Sequence, residues 1–203
     1  MLIENELYGK YDKVAIAIER IKTFQPQKPY YLAFSGGKDS IVVLHLAKLA
    51  KANFTPYHNI TTVDPPEIVR LARAYGCVMV PPQKSMRQLI IEKNFPTRVS
   101  RFCCKYLKEH SGRGERLLTG IRWEESVKRS KREMVEFWNG KEFINPIIDW
   151  TTEDVWEFIH LYKLPYPSLY DNGWKRVGCV GCPSSGKHRL KEFEEFPQIE
   201  QIS

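Results

Sequence analysis

Residues 30–52 constrain the fold of this chain more than any other stretch. Tyr30-Tyr31-Leu32-Ala33-Phe34 is a short apolar run, rich in aromatics, of the kind that forms a strand buried on both faces. It leads directly into Ser35-Gly36-Gly37-Lys38-Asp39-Ser40, after which Ile41 to Ala52 has helical character. A strand, a glycine-rich turn and a helix, in that order, belong to the crossover unit of a parallel sheet. The turn is also chemically loaded. Two glycines let backbone N–H groups approach a ligand and point one way, and the helix adds unpaired N–H groups and the positive end of its dipole. Ser35 and Ser40 supply hydroxyls, Lys38 a point charge, and Asp39 a carboxylate that either helps hold a magnesium ion or orients the loop. These groups describe a phosphate cradle. It is not a Walker loop, because G-x-x-x-x-G-K-[ST] does not occur.

The rest of the chain continues the alternation. Residues 5–24, with Val14, Ile16, Ile18 and Ile21 among charged neighbours, predict an amphipathic helix that Gln25 to Pro29 ends. Strands are predicted near Thr55–Thr62, over Cys77–Val80 and over Arg116–Ile121, with Phe143–Ile148 a further strand or an extended segment. Helices are predicted from Asp64 to about Tyr75, weakly over 85–94, and from Thr151 to about Tyr162. Thr151 and Asp154 read as a capping box. Asp64-Pro65-Pro66-Glu67 reads as a helix start with Asp64 as N-cap, against the alternative that Asp64 approaches magnesium or the nucleotide. The expected fold is α/β, a three-layer nucleotide-binding sandwich with a mainly parallel sheet. Residues 1–27 are expected to form an N-terminal helix, and residues 28–203 one domain. A length of 203 residues and a hydrophobic share of 42% suffice for a real core. No stretch approaches the roughly 18 apolar residues of a membrane span, and the N-terminus has no basic region or apolar core of a signal peptide. The reading is therefore a cytoplasmic protein with no membrane partner. The chain stops soon after Phe196-Pro197, within a helix-like stretch, which suggests a longer natural protein.

Five cysteines in a reducing compartment argue against a disulfide framework. Cys77, between Gly76 and Val78 in a predicted strand, reads as a buried small hydrophobe. The other four form two tight pairs, Cys103-Cys104 and Cys179-x-x-Cys182, which points to metal ligation. Cys-x-x-Cys alone suits zinc. Adjacent cysteines diverge and reach more easily to different irons of a larger cluster, so the quartet matches the needs of a [4Fe–4S] cluster, with zinc as the competitor. Arg101, Lys105, Lys108, Lys175 and Arg176 lie near the pairs, and such cations favour thiolates. Charge is localised as well. From Arg101 to Arg132 there are ten Lys/Arg and four Asp/Glu, a net of +6, against +7 for the whole chain. This suits an anionic ligand: a nucleotide, a sulfate ester or nucleic acid. Arg122 and Arg129 follow a predicted strand's carboxyl end and could clamp an anion. The alternative is a salt-bridge network with Glu124 and Glu125. The Trp residues read as core or as base-stacking neighbours, and the five His show no ligand spacing.

Ser35-Gly36-Gly37-Lys38-Asp39-Ser40 resembles the pyrophosphate-binding loop of ATP pyrophosphatases, which split ATP into AMP and pyrophosphate to adenylate a substrate. The paired cysteines, separated by about 75 residues, resemble the cluster motif of adenylyl-sulfate reductases within the phosphoadenosine phosphosulfate (PAPS) reductase family. Thr119-Gly120-Ile121-Arg122 with Ser126 and Arg129 is similar to that family's T-G-x-R…S-x-x-R segment, whose basic residues contact the sulfonucleotide. Lys108 falls where the family carries a Lys close to cluster and substrate, and Asn145-Pro146-Ile147 with Asp149-Trp150 resembles its N-P-L…W segment. The resemblance covers roughly residues 28–190 and implies an adenine nucleotide hydrolase-like fold. It also implies ATP or adenylyl sulfate with magnesium at Ser35–Ser40, and substrate contacts from Lys108, Arg122 and Arg129.

Two features depart from the reductases. Their pyrophosphate loop is generally degenerate, and here it is intact. They also use a nucleophilic cysteine near the C-terminus, and here none follows Cys182. In pairing an intact loop with a cluster motif, the chain resembles the ATP-splitting branch, which includes proteins of DNA phosphorothioation and some phage-encoded reductase-like proteins. The first expectation is thus an enzyme that adenylates an acceptor, with Lys38 and Asp39 as catalytic residues, for sulfur supplied by a donor such as a cysteine desulfurase or a thiol reductant. The second is a sulfonucleotide reductase releasing sulfite. The third is a non-catalytic subunit that binds nucleotide or nucleic acid around a structural metal. The enzyme readings expect the two thiol pairs to converge beside the phosphate cradle.

Overall fold

The apolar runs build the centre of a six-stranded, mainly parallel sheet. The computed structural model describes residues 2–6 and 9–200. The strands of the sheet are β3 (Tyr30–Ala33), β4 (Phe54–Asn59), β5 (Val78–Val80), β6 (Arg116–Leu118), β7 (Val135–Trp138) and β8 (Lys141–Ile144), in spatial order β5-β4-β3-β6-β8-β7. β3 runs parallel to β4 on one side and to β6 on the other, β6 is parallel to β8, and β7 is antiparallel to β8. β3 has neighbours on both sides, which is why Tyr30, Tyr31 and Leu32 are buried and its sequence does not alternate. The chain steps outward from β3 to β4 and β5, then returns to place β6 on the other side of β3. The order reverses there, and open α/β sheets bind ligands at the carboxyl ends of the strands at such a switch point.

Two compact units make up the described chain. The first comprises Met1–Tyr57 and Gly112–Tyr166, the second His58–Ser111 and Pro167–Ser203, and β4 carries the chain from one to the other. In the first unit, α1 (Lys13–Thr23), α2 (Lys38–Leu49) and α6 (Thr152–Leu161) pack together. The Tyr30 hydroxyl donates to the Ile21 carbonyl at 2.9 Å, and Trp150 sets its edge against Phe158. In the second, α3 (Pro66–Ala74), α4 (Met86–Lys93), α5 (Phe102–Leu107), α7 (His188–Glu195) and α8 (Pro197–Glu200) accompany β5. Val63, Leu89, Leu107, Val180 and Cys103 share one apolar cluster, while Ile68, Leu169, Trp174 and Val177 share another. Among the described residues no helix is long and apolar enough to cross a membrane.

The structure corrects several sequence expectations. Residues 5–24 are not one helix. β1 (Ile3–Glu6) pairs with β2 (Gly9–Asp12), and α1 starts at Lys13, where the Asp12 carboxylate accepts the N–H groups of Val14 and Ala15 at 2.9 and 3.0 Å. Leu7 and Tyr8, within that expected helix, lie outside the described residues. Asp64 does not cap α3. Pro65 holds that position, and Asp64 Oδ2 instead accepts the Thr61 N–H at 2.7 Å. The helix after the glycine loop starts at Lys38, so Lys38, Asp39 and Ser40 form its first turn. β8 overlaps the expected Phe143–Ile148 segment, whereas its hairpin partner β7, joined to it by Asn139-Gly140 with φ of 52° and 70° as a tight hairpin requires, lies beyond the sequence expectations, as does α5.

The capping box at Thr151 is present in both directions, at 2.9 and 3.2 Å. Its carboxylate also serves a second partner. The Lys13 ammonium donates to Asp154 Oδ2 at 2.7 Å, with both side chains buried. Burial pushes the Asp154 carboxyl up, but bonds from Lys13 and the Thr151 N–H outweigh it and hold the group at about 2. The folded value lies below the unfolded value of about 3.9, so this contribution is present above about pH 4 and lost as the pH falls towards 2. Asp154→Asn removes the carboxylate that neutralises a buried ammonium. It is expected to cost about 3–5 kcal/mol at neutral pH and to flatten the acid limb of stability, measured by denaturant melts at pH 7 and pH 3.

Candidate functional site

The glycine loop follows β3 at the switch point. Gly37 is the N-cap of α2 and, having no side chain, caps none of the first-turn amides. The Ser40 hydroxyl donates to the Gly37 carbonyl at 2.8 Å, and the Ser35 hydroxyl lies 3.2 Å from it. Lys38 is only 7% exposed, and its ammonium lies 3.3 Å from Asp39 Oδ2. A cation in the first helical turn opposes the helix dipole, whereas Asp39 complements it. An anion bound at this end would relieve that opposition.

The segment after β6 closes the other side of the switch point. Arg122 is 2% exposed. Its Nε donates to Asp39 Oδ1 at 2.7 Å, and one terminal nitrogen donates to Glu124 at 2.9 Å and to the Trp150 carbonyl at 3.1 Å. Burial opposes its charge, but Asp39 above all, with Glu124 and Glu125, keeps its pKa raised. Glu124 in turn accepts the N–H and hydroxyl of Thr152, the first residue of α6. Gly120 has a steric reason. A Cβ there would come within 2.8 Å of the Asp39 backbone carbon. Thr119 bonds the side chain of Asn145, which is fully buried and donates to the Glu133 carbonyl. Asp149 takes a two-pronged bond from Arg20, at 2.7 and 2.9 Å. Arg129 pairs with Glu125 and is half-buried. The structure thus joins Ser35–Ser40 to Arg122 in one network, sets Arg129 beside Glu125, and makes Asn145 and Asp149 supports. The Arg20 partner of Asp149 had no signal in the sequence.

The second unit gathers the thiols. Cys103 and Cys104 lie in the first turn of α5, Cys179 and Cys182 in the irregular segment before α7. Cys103, Cys104 and Cys179 share one cluster of packed side chains, and Arg101 feels the charges of Cys104, Cys182 and Cys103. The Arg101 guanidinium donates to Cys104 Sγ at 3.4 Å. The Cys104 thiol is drawn down to about 5, first by a hydrogen bond from Cys103 and then, against burial, by Arg101 and Lys108. That same bond, with burial, pushes the Cys103 thiol up. Cys179 is pushed up by burial and pulled back by Lys108, whose own pKa is raised first by Cys179 and then, against burial, by Asp64 and Cys104. Lys108 therefore belongs with the thiols. Among the described residues, no three His, Cys, Asp or Glu side chains meet closely enough to hold one metal ion. Cys77 is buried apart, its thiol pushed up to about 12 by burial.

The fold and the first site define an α/β protein whose glycine loop opens at the switch point of a mainly parallel sheet. The chain belongs to the phosphoadenosine phosphosulfate reductase domain family, which matches residues 29–185. An uncharacterized protein of Methanocaldococcus jannaschii is 31% identical over 183 residues, covering 82% of this chain and 44% of that protein. A second protein of that organism is 28% identical, covering 98% of this chain and 46% of its own length, so the chain spans about half of these relatives. An adenosine 5'-phosphosulfate reductase of Salinibacter ruber is 25% identical over 166 residues, covering 72% of this chain and 64% of that enzyme. In fold the chain is similar to the PAPS reductase of Candida auris, with a TM-score of 0.62 at 20% identity over 80% of this chain and 87% of that one. It is also similar to the U34-tRNA thiolase NcsA of Methanococcus maripaludis, a structure with its [4Fe–4S] cluster, with a TM-score of 0.50 at 16% identity over 95% of this chain and 75% of that one.

Gly120→Ala drives a methyl group into the Asp39 backbone at the start of α2. It is expected to cost about 1–3 kcal/mol, measured by thermal and denaturant melts against the wild type.

Proposed function

We propose that this domain is an iron–sulfur enzyme of sulfur metabolism that binds ATP at Ser35–Ser40 and adenylates an acceptor, releasing AMP and pyrophosphate, for sulfur incorporation. The observation that carries this reading is the buried Lys38 at the capless, positive end of α2. A pyrophosphate there meets the first-turn N–H groups, the Ser35 and Ser40 hydroxyls and the Lys38 ammonium, and it offsets the cation that the helix end disfavours. An acceptor oxygen attacks the α-phosphorus of ATP, the bond from that phosphorus to the β-phosphate bridging oxygen breaks, and pyrophosphate leaves with the electron pair. The loop amides and Lys38 stabilise the charge gathering on that leaving group. Asp39, held between Arg122 and Lys38, keeps the loop in shape, and Arg122 acts through it. Magnesium enters on the nucleotide's phosphates. Within the first unit, Arg129 is the basic group proposed to face the acceptor. The U34-tRNA specificity named for NcsA, together with the +6 stretch from Arg101 to Arg132, favours a nucleic-acid acceptor.

The donor chemistry of the second unit fits an iron–sulfur cluster. The two cysteine pairs offer four sulfur donors, Cys103, Cys104 and Cys179 pack in one cluster, and the Arg101 guanidinium and Lys108 ammonium lie within electrostatic reach of the thiols. Cys103, Cys104, Cys179 and Cys182 would hold a [4Fe–4S] cluster, which would supply a site for sulfur or electrons passed from a cysteine desulfurase or thiol reductant. A second reading, sulfonucleotide reduction, draws on the relatives named as adenosine 5'-phosphosulfate reductases.

Protein purified without oxygen is expected to carry about four irons per chain and, with ATP, magnesium, a sulfur donor and transfer RNA or DNA, to release AMP and pyrophosphate in equal amounts. Lys38→Ala is expected to slow that release about 100-fold or more. No AMP or pyrophosphate from an iron-loaded protein, together with sulfite from adenylyl sulfate and a thiol, would replace the first reading with the second.

A further inference from the structure

The end of β4 and the turn that follows it, residues 58–64, touch both halves of the thiol set. The Asn59 side-chain amide donates to the Lys108 carbonyl at 2.9 Å, at the residue that ends α5, and its oxygen accepts the Ser111 hydroxyl at 2.8 Å. Both ends of one amide thus grip the exit of the helix that carries Cys103 and Cys104. Four residues on, the Val63 carbonyl accepts the Val180 N–H at 2.9 Å, between Cys179 and Cys182. Thr61, fully buried, stands beside Cys179. Asp64 ties the turn to itself through the Thr61 N–H at 2.7 Å, with the buried His58 ring 4.0 Å from the same oxygen. Its negative charge helps raise the Lys108 pKa, after the larger pull of Cys179, and it also disfavours the Cys179 thiolate.

We infer that this turn is the positioning element of the thiol site: Asn59 sets the spacing of the two cysteine pairs, and Asp64 balances the Lys108 charge that faces them. The inference rests on the cluster proposed above and names residues that the sequence motifs do not mark. Groups outside a ligand set orient the ligands and tune the cofactor, and their loss typically loosens metal binding about 10- to 100-fold. The two residues act differently. Loss of Asn59 releases the end of α5. Asp64→Asn keeps an oxygen for the Thr61 N–H and removes only a negative charge, so the ammonium beside the thiolates is no longer offset. A less negative surrounding makes an electron easier to add, and the cluster's midpoint potential moves to a more positive value.

The test uses the full chain, reconstituted with iron and sulfide without oxygen, as wild type, Asn59→Ala, Asp64→Asn and Asp64→Glu. Iron per chain, bleaching by a chelator, the midpoint potential from a spectroscopic redox titration, and far-ultraviolet dichroism are recorded. Asn59→Ala is expected to bleach about 10- to 100-fold faster with unchanged dichroism. Asp64→Asn is expected to keep its iron and shift the potential upward, and Asp64→Glu to return it towards wild type. If Asn59→Ala does not fold, Asn59→Asp keeps the acceptor for Ser111, loses the donor to Lys108, and makes the same comparison. Equal bleaching for the Asn59 variant, or an unmoved potential for Asp64→Asn, overturns the inference while leaving the cluster in place. A wild type that retains no iron overturns the cluster itself.

Discussion

A guanidinium that is 2% exposed has to be neutralised and hydrogen-bonded where it stands, and the first unit is organised around how Arg122 meets that need. Its partners come from three places in the sequence. Asp39 lies in the first turn of the helix after β3, Glu124 just after β6, and the Trp150 carbonyl just before α6. Each side-chain partner is then spoken for. Asp39 also receives Lys38, and Glu124 also caps the start of α6 through Thr152. The glycine loop therefore does not stand alone as a turn. The neighbouring strand's exit loop clamps it, and Gly120 permits the approach.

The second unit solves a related problem with the sign reversed. Thiols that are to be thiolates need cations within reach, and a half-buried cation such as Lys108 gains from anions. The charges of Cys179, Asp64 and Cys104 raise the Lys108 pKa, and Arg101 donates to Cys104. Charge, packing and backbone bonds coincide here. The Cys103 side chain belongs to the apolar cluster with Val63 and Val180, and the Val63–Val180 backbone bond lies in the same cluster. A site built this way is as much a part of the unit's core as a feature of its surface.

Much of this was legible in the chain itself. The strand–loop–helix unit and the alternation of strands and helices announced a parallel sheet, because buried parallel strands need continuous apolar runs and crossovers need helices. The family was legible from the loop, the cysteine pairs and the T-G-x-R and N-P segments taken together. Other elements were not. The helical periodicity around Val14 and Ile18 does not reach back into residues 5, 6 and 9–12, where the Asp12 cap and strand pairing govern instead. Asn139-Gly140 is itself a readable hairpin signal, but the strands it joins are only four residues each, too short for a strong alternation of their own. Asp64 looks like an N-cap because Asp before Pro usually is one, and only the path of the turn shows it folding back on Thr61.

The sequence by itself determined the class of fold, the family and the chemical kinds of the candidate site: a glycine-rich loop, four thiols and a basic stretch. These depend on local patterns, such as periodicity, spacing and residue type, that survive in one dimension. Tertiary structure alone decided which charges meet. It placed Arg122 beneath the loop on Asp39, paired Arg20 with Asp149 and Lys13 with Asp154, and turned Asn59 onto the helix that bears Cys103. Such pairs join residues 49 to 141 positions apart, and no local propensity encodes a partner at that distance. Only the folding of the sheet brings them within a hydrogen bond, where burial makes the pairing obligatory.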